Sequence, residues 1–205
     1  MDGDQGKRDA TPQAAAPGQP AGAPETADWV FAYGSLMWDP GFDPAEISLA
    51  RLEGYARSFC LRSVEHRGTR DVPGLVLGLD ADARAHCRGL ALRMPDADRD
   101  WIIAYLRGRE LVTDAYAETT VPLTLADGRV VHAVTYVMRR DHWQYAGGLP
   151  APEQAAIIAA AHGGRGPNAD YLFNTARHLA QIGLHDRAME ELSDAVRRIL
   201  DQQKR

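Results

Sequence analysis

Two places in this sequence have residue types and spacing suited to chemistry. Glu110 follows an apolar helical stripe directly, in Tyr105-Leu106-Arg107-Gly108-Arg109-Glu110. A carboxylate beyond a glycine, next to a buried face, is partly desolvated, which raises its pKa toward the range of a general base. Spacing alone favours a plainer role, a solvated Glu at a helix end paired with Arg109. The second place is Tyr33-Gly34-Ser35-Leu36, which ends the β-prone run Trp29-Val30-Phe31-Ala32-Tyr33. A glycine there lets backbone N–H groups converge outside a sheet, where they hold a carboxylate or a developing oxyanion. On its own, such a step is ordinarily a strand-ending turn.

Weaker candidates follow. His66, in Glu65-His66-Arg67-Gly68, has the chemistry of a base, but such a histidine more often caps or pins a loop. Gly163 to Gly166 is glycine-rich and precedes a helix, which suits an anion at that N-terminus or, more commonly, a plain connection between helices. Tyr171, one turn into that helix, points either into a site or into the core. Other chemistries lack their signatures. There is no G-x-S-x-G nucleophile elbow and no G-x-x-x-x-G-K-[ST] phosphate loop. The seven histidines form no H-E-x-x-H pairing, so neither a metal nor another cofactor is expected. Cys60 and Cys87 are too few and too far apart for a disulfide framework and read as core residues.

These residues need a scaffold, and the composition describes one. Lys and Arg number 23 against 28 Asp and Glu, a formal charge of −5, which argues against non-specific binding to nucleic acid. No apolar run approaches the ~20 residues of a membrane span, and no signal-peptide pattern opens the chain. A cytoplasmic protein is expected. Residues 1–27 hold four Pro, four Gly and seven Ala and no large apolar residue beyond Met1, so a disordered tail is expected there. Residues 28–205 are then one folded domain.

Within that domain, strand-like runs cover 52–64, 75–79 and 86–94, in addition to the run at 29–33. Pro95-Asp96 signals a helix start, and Trp101, Ile102, Tyr105 and Leu106 give it an apolar stripe that ends before Gly108. Runs at 116–125 and 129–138 flank Ala126-Asp127-Gly128, a strong hairpin signal. Residues 152–162 read as an Ala-rich helix and 163–167 as a loop. Asn168 is placed to cap a helix carrying Leu172, Phe173, Ala176 and Leu179. The last helix carries Leu192, Val196, Ile199 and Leu200. Strands first and helices last indicate an α+β fold with a mostly antiparallel sheet or barrel. The absence of regular strand–helix alternation argues against a dinucleotide-binding fold.

Taken in order, five words of the sequence resemble the ChaC-like family of γ-glutamylcyclotransferases. They are the run from Trp29 to Trp38, then His66-Arg67-Gly68, Pro73-Gly74-Leu75-Val76, Tyr105-Leu106-x-x-Arg109-Glu110, and Gly166-x-Asn168-x-x-Tyr171-Leu172-Phe173. Ala32 departs from the pattern, since many members have Gly there. The resemblance implies a small mixed, mostly antiparallel β-barrel flanked by helices. It implies cleavage of glutathione to 5-oxoproline and cysteinylglycine, with Glu110 as catalytic acid and base. It also implies that Val30, Phe31, Ala32, Tyr33, Gly34, Ser35 and Leu36 cradle the γ-glutamyl group, helped by Tyr171. The alternatives are a cyclotransferase for other γ-glutamyl amino acids or amines, and a non-catalytic binding or regulatory module on the same fold. The implied partner is a small molecule, and the oligomeric state is not legible.

Overall fold

Strand β1 (Trp29–Ala32) has no solvent-facing side, and its residues divide between two cores. Phe31 packs with Leu52, Leu79, Val121, Leu123 and Ala133 inside a barrel. Val30 and Ala32, pointing the other way, pack with Ile102, Leu106 and Val134 under a helix. The computed structural model that shows this describes residues 27–204. The tail expected over 1–27 lies, except for Ala27, outside the described residues.

The barrel closes in the order β1, β3 (Gly74–Arg93), β2 (Glu46–Ser63), β4 (Tyr116–Leu125) and β5 (Val130–Met138). β5 meets β1 and β3 in parallel, and the remaining pairs are antiparallel. This is the mixed, mostly antiparallel barrel implied by the resemblance. The Asp127-Gly128 turn joins β4 to β5, with Gly128 at φ 88°. β2 is longer than the run at 52–64, and β3 is one strand of 20 residues where two were expected. The polar stretch from Asp80 to His86 carries little apolar signal, and only Asp80, Ala81 and His86 of it are in register with β2, opposite Ala56, Tyr55 and Glu53; residues 82–85 bulge out across from Gly54.

Four α-helices among the described residues flank the barrel. Helix α1 (Arg99–Glu110) covers β1 and β5, with Ile102 and Leu106 fully buried. It runs through Gly108, where it was expected to stop. That glycine is exposed, and interrupting a helix with Gly costs only ~1 kcal/mol relative to Ala. Helices α2 (Ala151–Ala160), α3 (Asn168–Gln181) and α4 (Arg187–Gln203) form a second core against Phe59, Leu75 and Leu77. Between α2 and α3 the expected loop is a minimal hairpin, β6 (His162–Gly163) with β7 (Gly166–Pro167). Asn168 does not cap α3. It is the first helical residue, and its amide faces β3 instead. Both cysteines are free and buried, and burial pushes the Cys60 thiol up to about 11. Among the described residues no helix is long and apolar enough to cross a membrane.

Candidate active site

The spacing Ile102, Leu106, Glu110 repeats every four residues, so Glu110 occupies the next position of the buried stripe of α1. It is the last helical residue, and its side chain is 19% exposed. Among the described residues no hydrogen bond reaches its carboxylate, and its one ion pair is with Arg109 Nε at 3.3 Å. Burial raises its pKa, opposed by the charge of Arg109. Both sequence readings of Glu110 therefore hold part of the truth: it is paired, and it is desolvated.

Tyr33, Tyr116, Tyr136 and Tyr171 surround this carboxylate. Burial raises the pKa of each, Tyr171 to about 12, and the charge of Glu110 adds to the effect in all four. Their hydroxyls stay protonated at neutral pH. Two of them are committed to the scaffold, Tyr33 Oη donating to Tyr136 O at 2.9 Å and Tyr116 Oη to Leu77 O at 2.9 Å.

Opposite Glu110, the chain leaves β1 at Ala32 and turns through Gly34 into a single 3₁₀ turn, Ser35–Met37. Donors at the start of a helical turn have no partner within it. Among the described residues nothing accepts from the N–H groups of Gly34, Ser35 and Leu36. A Cβ at Gly34 would meet nothing within 4 Å. Three contacts pin the turn. Arg109 Nη2 donates to Ser35 Oγ at 3.1 Å and Nη1 to Asp39 O at 2.7 Å. Trp38 stacks on His178 of α3 with ring centres 4.6 Å apart. Gly41, at φ 79°, leaves room for the Tyr105 ring, which a Cβ there would strike.

The third wall is the loop between β2 and β3 locked onto the small hairpin. Arg67 Nη1 donates to Arg165 O at 2.6 Å, and its guanidinium lies 5.6 Å from the centre of the Tyr171 ring. Gly164 N donates to Glu65 O at 2.7 Å and Arg165 N to His66 O at 2.8 Å. Those N–H groups are thus engaged by protein, and the Gly163–Gly166 run serves as a connection. Gly68 and Gly163 face backbone so closely that neither has room for a Cβ.

A cavity of about 440 Å³ lies between these walls. Tyr33, Gly34, Ser35, Leu36, Glu110 and Tyr171 line it together, although the sequence separates them widely. His66, exposed, lines it too. Val30, Phe31 and Ala32 do not line it; they are wholly buried in β1 behind the turn. Sequence reasoning missed Arg67, Tyr116 and Tyr136 as site residues, and of Arg109 it gave the pairing with Glu110 but not the reach to the turn. One signal for Arg109 was available. Trp101, Tyr105 and Arg109 form a second four-residue series beside the buried one, with the two rings stacked at 5.6 Å. Trp101, placed in the apolar stripe from sequence, is itself 57% exposed.

A glutathione-specific γ-glutamylcyclotransferase of Escherichia coli (strain K12) is 37% identical over 172 residues, spanning 84% of this chain and 74% of its own length. γ-Glutamylcyclotransferase 2-3 of Arabidopsis thaliana is 34% identical over 182 residues, 86% of this chain and 92% of its own. Among solved structures, a γ-glutamylcyclotransferase specific to glutathione from yeast superposes with a TM-score of 0.75 at 23% identity. That match covers 85% of this chain and 97% of the yeast chain, and it shows a shared fold. The family model for ChaC-like proteins matches residues 28–199. The chain belongs to the ChaC-like family.

Proposed function

We propose that this chain is a γ-glutamylcyclotransferase that cleaves glutathione to 5-oxoproline and cysteinylglycine. The relatives named above as glutathione-specific support the substrate. The observation that carries the chemistry is Glu110, a carboxylate of raised pKa beside a cavity of small-molecule size, facing a turn with free N–H groups.

The reaction is intramolecular. The α-amino nitrogen of the γ-glutamyl residue attacks its own side-chain carbonyl carbon, closing a five-membered lactam. Holding the substrate folded supplies most of what a bimolecular reaction would lack. The amine arrives protonated and must lose a proton to become a nucleophile. Glu110 takes that proton and returns it to the cysteinyl nitrogen as the old amide bond breaks, and the second proton that the attacking nitrogen sheds on becoming the lactam N–H passes to the departing amine as well. One carboxylate whose pKa is raised by burial serves both steps, so the reading requires no metal or other cofactor. The N–H groups of Gly34, Ser35 and Leu36 receive the substrate α-carboxylate or the oxyanion of the tetrahedral intermediate. Tyr171 holds the glutamyl end, and Val30, Phe31 and Ala32 support the turn from behind. The partner in this reading is the small-molecule substrate alone. The cytoplasm, where thiols are kept reduced, is its place, in keeping with the two free cysteines.

The test is product analysis by mass after incubation with glutathione, with γ-glutamylalanine and N-acetylglutathione in parallel. Glutathione should give 5-oxoproline, and the N-acetyl compound should give nothing, because acylation removes the nucleophilic lone pair. Turnover of γ-glutamylalanine at the rate of glutathione would move the specificity to γ-glutamyl amino acids generally. Cysteinylglycine released from the N-acetyl compound would mean hydrolysis by water and sink the cyclotransferase reading.

A further inference from the structure

The turn that faces Glu110 is held from behind by a buried cation. Arg57 on β2 has a side chain only 5% exposed, and all three of its guanidinium nitrogens are engaged. Nε donates to Tyr33 O at 2.7 Å, Nη1 to Asp186 Oδ2 at 3.0 Å, and Nη2 to Arg88 O. Asp186 is fixed in turn, because its other oxygen caps α4 by accepting from Met189 N at 3.1 Å. A second cavity, of about 250 Å³, is lined by Arg57 and Asp186, while Tyr33 lines the first. Arg57 therefore stands on the far side of the wall that Tyr33 and Gly34 present to the active site.

The Tyr33 carbonyl and the Gly34 N–H belong to one peptide unit. In a trans peptide the two point in opposite directions, so a donor fixed behind the carbonyl turns the N–H the other way. A cation on that carbonyl also polarises the unit and strengthens the N–H as a donor. Among the described residues nothing accepts from this N–H, and the space beside Gly34 is open.

We propose that Arg57, anchored by Asp186, is a positioning residue that aims and polarises the Gly34 N–H toward the anionic group of the γ-glutamyl substrate. The proposal rests on the cyclotransferase reading for its ligand, but the Arg57–Gly34 link can be tested without it. A purely architectural Arg57, tying α4 to the barrel, predicts lost stability and an unaltered Gly34 amide.

The experiment compares Arg57→Gln, Arg57→Lys and Asp186→Asn by kinetics and by the ¹H–¹⁵N resonance of Gly34 in the full chain. Loss of a charge-assisted hydrogen bond of this kind is expected to lower kcat/KM for glutathione on the order of 10- to 100-fold in Arg57→Gln. The Gly34 resonance should move in Arg57→Gln. In Arg57→Lys, which keeps a charged donor, both readouts should return part of the way. Asp186→Asn, which retains a capping side chain, should move both in the same direction by less, and it carries the test if Arg57→Gln does not fold. Leu192→Ala, a truncation in the buried face of α4, supplies the control: lower stability with both readouts near the parent. An unmoved Gly34 resonance with parental kcat/KM in Arg57→Gln overturns the proposal. Equal kinetic loss in Leu192→Ala at matched stability does so as well. If the parent protein forms no 5-oxoproline, the functional reading fails, while the Gly34 resonance still decides the role of Arg57.

Discussion

Glu110 is held where its ionised form is disfavoured, and that has opposite consequences for activity and stability. Its folded pKa is raised above the ordinary 4.5, burial being the larger cause. The native state therefore binds this proton more tightly than the unfolded chain. The stabilisation is fully present below 4.5 and is lost as pH rises through the folded pKa. At neutral pH the ionised carboxylate is a net burden on the fold. Glu110→Gln, nearly isosteric and never ionised, should raise the unfolding temperature at pH 7, with the advantage fading in acid. The same change should lower kcat by ~10²–10⁴-fold, the usual worth of a general acid–base group. Calorimetry at two pH values beside glutathione turnover checks both, and parental turnover in the Gln variant would remove Glu110 from the mechanism. What the sequence displayed here was the residue type and its four-residue spacing from Leu106. The extent of its burial depends on the tyrosines around it, which come from the turn after β1, from β4, from β5 and from α3 and have no local signature.

At the scale of elements, the end of α1 and the turn after β1 are joined through one side chain. Arg109 reaches Ser35 and Asp39 while its Nε faces Glu110, and its charge holds the pKa of Glu110 lower than burial alone would. Arg109→Gln should therefore shift the acid limb of the kcat/KM profile to higher pH, because Glu110 becomes harder to ionise. It should also raise KM, because the turn loses its tie to the helix. An acid limb that stays in place, or moves to lower pH, would contradict this electrostatic role. Elements with apolar periodicity were legible from the residues: β1, the β4–β5 hairpin and the closing helices. Elements held by pairing alone were not. From Asp80 to His86, the side chains of β3 are mostly solvated and only Asp80, Ala81 and His86 pair with β2, so no apolar alternation marks that the two runs belong to one strand. Asn168 misled for a related reason. Its residue type fits a cap, but a backbone 93 positions away competes for the same amide and wins.

At the scale of the molecule, the cavity exists only while the helical layer stays docked on the barrel, since Tyr171 comes from α3 and the opposite wall from β1 and α1. One polar link between the layers is Asn168, fully buried, which treats β3 as a neighbouring strand would. Its Oδ1 accepts from Leu75 N at 2.6 Å and its Nδ2 donates to Leu75 O at 2.7 Å. Leu75 is also fully buried, so neither backbone group can turn to water when the amide is removed. Leaving a buried polar group unsatisfied costs ~1–3 kcal/mol, and Asn168→Ala strands two of them. For a chain of this size each kcal/mol shifts the midpoint by roughly 2–4 °C, so the unfolding temperature should fall by roughly 4–24 °C. Asn168→Asp should recover little. It can accept from Leu75 N, but its second oxygen then confronts the Leu75 carbonyl with no proton between them. Because Tyr171 lies three residues further along α3, both variants should also raise KM for glutathione more than they lower kcat. A thermal melt and a saturation curve on the same preparations settle the matter. If Asn168→Ala melts with the parent, the amide pair contributes nothing to keeping the cavity closed.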